Sequence, residues 1–373
     1  MKMSERLENA PLSGIRKMFD LASSDSVNLS LGEPDVLPPE EAVAGMNEAA
    51  SKGLNRYGPT SGIIQLREAV ASRYGRCGMG AENIMITPSG TTALMIITMS
   101  LVDPGDETLI PSPGFVVYGP HTSLSGGKPT EYRLSEDDFQ PDIDDIQKKI
   151  TKRTKAIFLN YPSNPTGGIL NEQSFKAIRD ITSDKKITII SDEVYEPFIY
   201  EGKHLSFMEE DNAIIVNGFS KMMSVPGWRM GFVAAGKDII TGLTKMAYHM
   251  CACPNMPAQY GILSAMPSID GYLEKVRGIY KKRRDLITSR ISAVKGMRMS
   301  APKGAFYAFP EISFNMTSEE LAMRLAKNGL ICVPGSAFGT YGEGHLRFSY
   351  AADEEKINRG MDILEKVAKE IRI

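Results

Sequence analysis

Short apolar, β-branched runs alternate with helix-like stretches along the first two thirds of the chain. The candidate strands cover residues 84–87, 107–111, 156–160, 188–192, 213–217 and 231–235. Strands separated by helices form crossover connections, which build a mostly parallel sheet with helices on both faces. The apolar run over residues 93–102 is too short to span a bilayer and predicts a buried helix. The pattern therefore predicts an α/β fold.

The last third of the chain is organised differently. A long charged helix from about residue 272 is followed by a glycine-flanked, hairpin-like stretch at 304–309, and further helices are predicted near 318–327 and from about 353. This order predicts a smaller α+β layer. We predict an N-terminal arm with part of the small domain over residues 1–45, a large domain over 46–270 and a small C-terminal domain over 271–373. A chain of 373 residues suits one large domain with a smaller companion.

Composition narrows the classes of function. A formal net charge of -2 provides no field that would attract nucleic acid or an anionic membrane, so we expect neither as a partner. The four cysteines form no paired framework and the chain begins with the charged run MKMSER, which predicts a reducing, cytoplasmic setting. The run HMCAC at 249–253 does not have the usual zinc spacing, and we expect no metal site.

Polar residues stand at the carboxyl ends of four predicted strands. Ser89, Asn164 and Lys221 each follow a strand, and Asp192 closes one. In parallel sheets these ends open into a crevice where ligands bind near helix N-termini. Lys221 lies in an apolar neighbourhood, so its amine loses hydration and its neutral form becomes easier to populate. A neutral amine can attack an aldehyde to form a Schiff base, which makes Lys221 a candidate nucleophile.

Six motifs follow one another along the chain: SLGEPD at 30–35, YGP at 57–59, NPTG at 164–167, DEVY at 192–195, SK at 220–221 with WRMG at 228–231, and LRFS at 346–349. Taken together and in this order, they resemble those of the class I/II aminotransferases in the fold type I superfamily of pyridoxal-phosphate enzymes. The resemblance runs from about residue 10 to the C-terminus. It implies a mostly parallel seven-stranded sheet flanked by helices, pyridoxal 5'-phosphate as cofactor, and a ping-pong transfer of an amino group between an L-amino acid and a 2-oxo acid.

The resemblance also implies roles around the cofactor ring. Lys221 would hold the cofactor as a Schiff base and then move a proton at the substrate Cα, acting as nucleophile and general base in turn. Asp192 would keep the pyridine nitrogen protonated, and Asn164 and Tyr195 would hydrogen-bond the ring oxygen. Phe115 would lie against the ring face.

The same resemblance implies a phosphate site made of backbone and side-chain donors. Gly90 and Thr91 would offer donors at a helix start, where the dipole favours an anion, and Ser89 would lie close to them. Ser220 and Arg229 would supply further contacts to the phosphate.

A second subunit and a substrate site follow from the resemblance as well. Tyr57 would reach the phosphate from the neighbouring subunit, which implies a homodimer with shared active sites. Arg347 would bind the α-carboxylate of the amino-acid or 2-oxo-acid substrate through its forked guanidinium, next to Asn164. Gly32 would offer its backbone N–H to the same carboxylate, because no side chain blocks a close approach.

The substrate side chain stays open at this point. Dicarboxylate-specific members carry an additional cation, which in one branch is a lysine at the position of Thr91. Arg16 and Asn255 are the candidates for contacts to the side chain, and aspartate, aromatic and alanine-type donors all remain. An eliminating enzyme of the same fold, such as a C–S lyase, is an alternative that uses the same cofactor site. A ligand-sensing regulatory module would need a DNA-binding segment that the chain does not present before the motifs, and a nicotinamide-binding dehydrogenase would need a glycine fingerprint after its first strand.

Overall fold

The computed structural model describes residues 3–4, 7, 14–23, 25–74 and 78–371, without the side chains of residues 15–17. The strands in chain order are β1 (Val27–Asn28), β2 (Ile84–Thr87), β3 (Glu107–Ser112), β4 (Lys128–Arg133), β5 (Thr154–Asn160), β6 (Thr188–Asp192), β7 (Ala213–Gly218), β8 (Gly231–Ala234), β9 (Met297–Arg298), β10 (Tyr307–Ala308), β11 (Glu311–Ile312), β12 (Leu330–Ile331), β13 (Val333–Pro334) and β14 (Leu346–Ser349).

The α-helices surround these strands. In chain order they are α1 (Gly14–Phe19), α2 (Glu40–Ser51), α3 (Ile64–Tyr74), α4 (Gly90–Leu101), α5 (Tyr118–Leu124), α6 (Ile143–Lys149), α7 (Glu172–Lys185), α8 (Phe219–Met222), α9 (Lys237–Cys251), α10 (Met256–Ala265), α11 (Ile269–Ser292), α12 (Ser318–Lys327) and α13 (Glu354–Lys369). No helix within the described ranges is long and apolar enough to cross a membrane.

A seven-stranded sheet with the order β2-β8-β7-β6-β5-β3-β4 forms the centre of the molecule. Its neighbouring strands run parallel except at β8, which is antiparallel to both β7 and β2. The fold class predicted from the sequence is therefore confirmed. The six predicted strands correspond to β2, β3, β5, β6, β7 and β8, with differences of at most two residues at their ends.

Both faces of this sheet are covered, which explains why its strands are apolar without alternation. Ile189 and Ile215 point into one hydrophobic cluster, while Ile190 and Val216 point into another on the opposite face. Helix α4 packs on the second face, and its residues Ala93, Leu94, Ile96 and Ile97 are buried, as the sequence predicts for 93–102.

The C-terminal part forms a second core together with Met18, Val27 and Leu29 from near the start of the chain. Strand β1 pairs in parallel with β12, so Val27 lies opposite Leu330. The prediction of a hairpin at 304–309 is wrong, because β10 pairs with β14, about forty residues later in the chain, rather than with a neighbouring strand. The domain boundaries near residues 45 and 270 stay a prediction.

Candidate active site

A cavity of about 230 Å³ opens at the carboxyl ends of β2, β5, β6 and β7. The residues predicted to bind the cofactor or the substrate carboxylate all line it except Tyr57, and the set comprises Gly32, Ser89, Gly90, Thr91, Phe115, Asn164, Asp192, Tyr195, Ser220, Lys221, Arg229 and Arg347. The fold thus brings together residues that are up to 315 positions apart in the sequence, from Gly32 to Arg347.

Lys221 lies on the single turn α8, which begins directly after β7. Its Nζ donates a hydrogen bond of 2.5 Å to the backbone carbonyl of Gly32. Burial lowers the pKa of Lys221 to about 8; the carboxylate of Glu33 acts in the opposite direction, and the cations Arg229 and Arg347 add to the lowering. A substantial fraction of the amine is therefore neutral near physiological pH.

Asp192 closes β6 and is buried. Its Oδ2 accepts a hydrogen bond of 2.8 Å from the hydroxyl of Tyr118, and its backbone carbonyl accepts one of 2.9 Å from Nδ2 of Asn160. Burial raises the pKa of Asp192 to about 6, partly offset by the bonds from Tyr118 and from the backbone N–H of Val194. A cation in the cavity beside this carboxylate would keep it ionised.

Arg347 on β14 is 1% exposed, and its guanidinium binds neutral partners. One Nη donates to Oδ1 of Asn164 at 2.9 Å and the other donates to the backbone carbonyl of Ser30. The guanidinium carbon lies 4.6 Å from the ring centre of Tyr307 and 4.9 Å from that of Phe338. In the described part of the chain its Nε has no hydrogen-bond partner. The side chain is thus a rigidly held cation that lacks an anionic partner among the described residues.

The N-terminus of α4 forms another wall of the cavity. Ser89 caps the helix, because its Oγ accepts a hydrogen bond of 3.1 Å from the backbone N–H of Thr92. Gly90 and Thr91 follow in the first turn, where the helix dipole favours an anion. The start of α4 lies close to the start of β8. Gly231 makes this possible, since a Cβ at residue 231 would lie 2.6 Å from the backbone nitrogen of Gly90.

Ser220 and Arg229 lie on the connection between β7 and β8, beside this helix start. Arg229 is exposed, and its Nη1 donates to the carbonyl of Pro226 at 2.9 Å. The ring of Phe115 stands nearly perpendicular to that of Tyr118 at a ring separation of 5.8 Å, and Phe115 also lines the cavity.

Tyr57 and Asn255, which are also named from the sequence, do not line the cavity of a single chain. Tyr57 is 90% exposed on the surface. Asn255 is exposed and caps α10 by accepting a hydrogen bond of 3.1 Å from the backbone N–H of Ala258. The side chain of Arg16 lies outside the described residues.

The structure adds three polar residues that the sequence reasoning missed. Asn160, which closes β5, lines the cavity, and the rule that selected Asp192 at a strand end could have found it. Tyr307 lines the cavity with its hydroxyl 2.6 Å from that of Tyr195. Tyr118 positions Asp192 by donating a hydrogen bond to its carboxylate. Neither tyrosine carries a local sequence signal, because its partner lies 112 or 74 residues away.

Known proteins resemble this chain over nearly its full length. A family model for aminotransferase class I and II matches residues 24–364. The probable aspartate aminotransferase of Methanocaldococcus jannaschii is 37% identical, over 98% of this chain and 99% of the relative. The aromatic-amino-acid aminotransferase 2 of Thermococcus litoralis is 38% identical over 100% of both chains. A solved alanine aminotransferase from Pyrococcus furiosus is 34% identical with a TM-score of 0.93, over 99% of this chain and 100% of that one.

Proposed function

The chain belongs to the class I and II aminotransferases and is a transaminase that depends on pyridoxal phosphate, and we propose that its cavity binds an L-amino acid and a 2-oxo acid in turn. One observation carries this proposal. Arg347, a buried arginine with no anionic partner in the described ranges, and Lys221, a lysine of lowered pKa, line the same cavity. The arginine can bind the carboxylate of the substrate, and the lysine can take a proton from the Cα next to that carboxylate.

The residues of the cavity fit pyridoxal phosphate by the chemistry of their donors. The start of α4, Ser220 and Arg229 offer N–H, hydroxyl and guanidinium groups to a phosphate. Asp192 offers a buried carboxylate to a protonated ring nitrogen, and Tyr195 offers a phenol to a ring oxygen. When bound, the cofactor supplies an electron sink for the bonds at the substrate Cα.

We assign the protein's own part of the reaction to four side chains. Arg347 with Asn164 orients the substrate carboxylate and thereby fixes the direction of the Cα–H bond. Lys221 accepts the proton from Cα and returns a proton in the reverse half of the cycle. Burial raises the pKa of Tyr195 well above its ordinary value, so its hydroxyl stays a hydrogen-bond donor at physiological pH.

We further propose a homodimer in which Tyr57 completes the site of the partner subunit. The exposure of Tyr57, 90% in the isolated chain, supports this role, since a large aromatic ring on the surface is typical of an interface. A cytoplasmic location is likewise our proposal; the described cysteines, Cys251, Cys253 and Cys332, are free thiols, which supports a reducing compartment.

Two experiments test these roles. Borohydride reduction of the holoenzyme followed by peptide mapping should find the cofactor on Lys221, and its recovery on another lysine would overturn the assignment. Mixing inactive Lys221→Ala with impaired Tyr57→Phe chains should restore one intact site in each mixed dimer. Failure of the mixture to exceed the activity of the Tyr57→Phe enzyme would refute the shared site.

Lys221, Arg229 and Arg347 are the cationic residues that line the cavity in the described part of the chain, and each already has a proposed role with the cofactor or the substrate carboxylate. We therefore test recognition of the substrate side chain through Arg16. We propose that a dicarboxylate donor would take its second cation from Arg16 or from the partner subunit. A panel of aspartate, aromatic and alanine donors, followed by the cofactor absorbance, identifies the class. If aspartate reacts, Arg16→Ala should raise its KM but not that of alanine. Release of ammonia without a 2-oxo acid would instead indicate an eliminating enzyme.

A further inference from the structure

We propose that Tyr307 is a positioning residue that tunes the bound cofactor through Tyr195 and supports Arg347 through its ring. This inference rests on the proposed roles of Tyr195 and Arg347. Tyr307 lies on β10, which pairs with the strand β14 that carries Arg347, whereas Tyr195 follows β6 of the large sheet. Its side chain therefore joins two separate parts of the fold at the cavity.

The hydroxyl groups of Tyr307 and Tyr195 are 2.6 Å apart and both residues are buried. A phenol has one proton to donate. If the hydroxyl of Tyr195 donates its one hydrogen bond to the cofactor's ring oxygen, it cannot also donate to Tyr307. The hydroxyl of Tyr307 must then donate the hydrogen bond between the two tyrosines, and the oxygen of Tyr195 accepts it. The two hydroxyls then form a directed chain, and a donor that itself accepts a hydrogen bond is polarised and donates more strongly.

The ring of Tyr307 carries the second role. The guanidinium carbon of Arg347 lies 4.6 Å from the ring centre, a distance at which the ring face attracts a cation. On the other side of the hydroxyl, Gly32 leaves room for it, since a Cβ at residue 32 would lie 1.7 Å from that oxygen. Glycine at this position is thus required by the tyrosine as well as by the close approach of the backbone to the cavity.

The two roles separate in two substitutions. Tyr307→Phe keeps the ring and removes the hydroxyl. It should therefore shift the pH midpoint of the cofactor absorbance and leave the KM for the amino acid within about twofold of the wild-type value. Tyr307→Leu also removes the ring face and should raise that KM by roughly 2- to 30-fold, the range expected for a cation on an aromatic ring.

The decisive readout is the pH midpoint of the visible absorbance of the bound cofactor in the absence of substrate. A hydrogen bond to the ring oxygen stabilises its negative charge and lowers this midpoint. Loss of the cooperative part of a charge-assisted bond in Tyr307→Phe should raise the midpoint by about 0.1–0.7 of a pH unit. Tyr195→Phe should raise it further, and the double variant should match Tyr195→Phe alone.

Tyr350→Phe serves as the matched control. Tyr350 is buried nearby, and its hydroxyl donates a hydrogen bond to the carbonyl of Ala305. That carbonyl also accepts a hydrogen bond from the hydroxyl of Tyr200. This variant should leave both the midpoint and the KM unchanged. A midpoint unaffected by Tyr307→Phe, or shifts of the two single variants that add in the double variant, would overturn the inference. A midpoint unaffected by Tyr195→Phe would instead remove the proposed role of Tyr195 itself.

Discussion

Replacing Arg347 with methionine should abolish efficient turnover without destabilising the cofactor-free protein. Arg347 is buried, and its hydrogen bonds go to the neutral oxygens of Asn164 and Ser30. Burial lowers the pKa of its guanidinium, which reflects the unfavourable free energy of a charge held away from water. Methionine fills a similar length with flexible apolar atoms. Asn164 lines the cavity, so water can solvate its oxygen there, whereas the carbonyl of Ser30, a buried residue that does not line the cavity, loses its donor.

The expected loss of activity follows from the contacts to a substrate carboxylate. Two charge-assisted hydrogen bonds at about 1.5–3 kcal/mol each amount to about 3–6 kcal/mol, or roughly a 10²- to 10⁴-fold fall in kcat/KM. Steady-state kinetics with a reactive donor give this ratio. Thermal unfolding of the cofactor-free protein should show a Tm close to that of the wild type, because relief of the buried charge offsets the lost hydrogen bonds to Asn164 and Ser30.

Arg284→Met provides the contrasting control. Arg284 is also buried and lies 5.3 Å from the ring centre of Tyr200, but it pairs with Glu201 and Asp285. Its loss should lower Tm and leave kcat/KM per folded molecule unchanged. The reasoning on Arg347 is refuted if Arg347→Met lowers Tm by as much as the control does while the folded fraction keeps its kcat/KM.

Further predictions concern the two titrating groups of the cavity. The rate at which the cofactor-free protein captures pyridoxal phosphate should rise with pH and level off above about pH 8, as Lys221 loses its proton, and Glu33→Gln should shift that midpoint downward because Glu33 raises the pKa of Lys221. A stopped-flow pH profile measures both, and an unchanged midpoint in Glu33→Gln would contradict the electrostatic account. Asp192→Asn should abolish turnover yet raise the Tm of the cofactor-free protein at pH 7 and above. The carboxyl, whose pKa is raised from 3.8 to about 6, binds more protons when folded, so stability falls as pH rises through that window, by about 3 kcal/mol in total. At pH 3.5 the two proteins should unfold alike, and a difference that persists there would point to lost packing instead.

The sequence predicts the central sheet well because each inner strand is apolar on both faces. It does not predict β4, an edge strand in which Tyr132 is fully buried while Lys128 and Arg133 are exposed. Such a strand lacks both a continuous apolar run and a clean alternation, so its pairing with β3 depends on the neighbouring strand rather than on its own residues. The error at 304–309 has the same origin, since β14 is a partner that no local pattern can indicate.

The active site divides in the same way. Lys221, Asn164 and Asp192 follow or close strands, so the topology of a parallel sheet brings them together. Tyr307 and Tyr118 act through other side chains, and their positions depend on packing between distant elements. Tyr57 raises a different problem, because its predicted partner is a second chain and no property of one folded chain can place it there.

Strand β8 has a consequence for how this enzyme can evolve. Because β8 runs antiparallel to β7, the segment that carries Lys221 leaves β7 and enters β8 at the same end of the sheet, between the paired residues Gly218 and Gly231. A parallel neighbour would need a long crossover, whose length can drift. Insertions or deletions over residues 219–230 would displace the amine that this segment carries. The architecture thus fixes the place of the reactive amine, and changes of length during evolution are expected elsewhere in the chain.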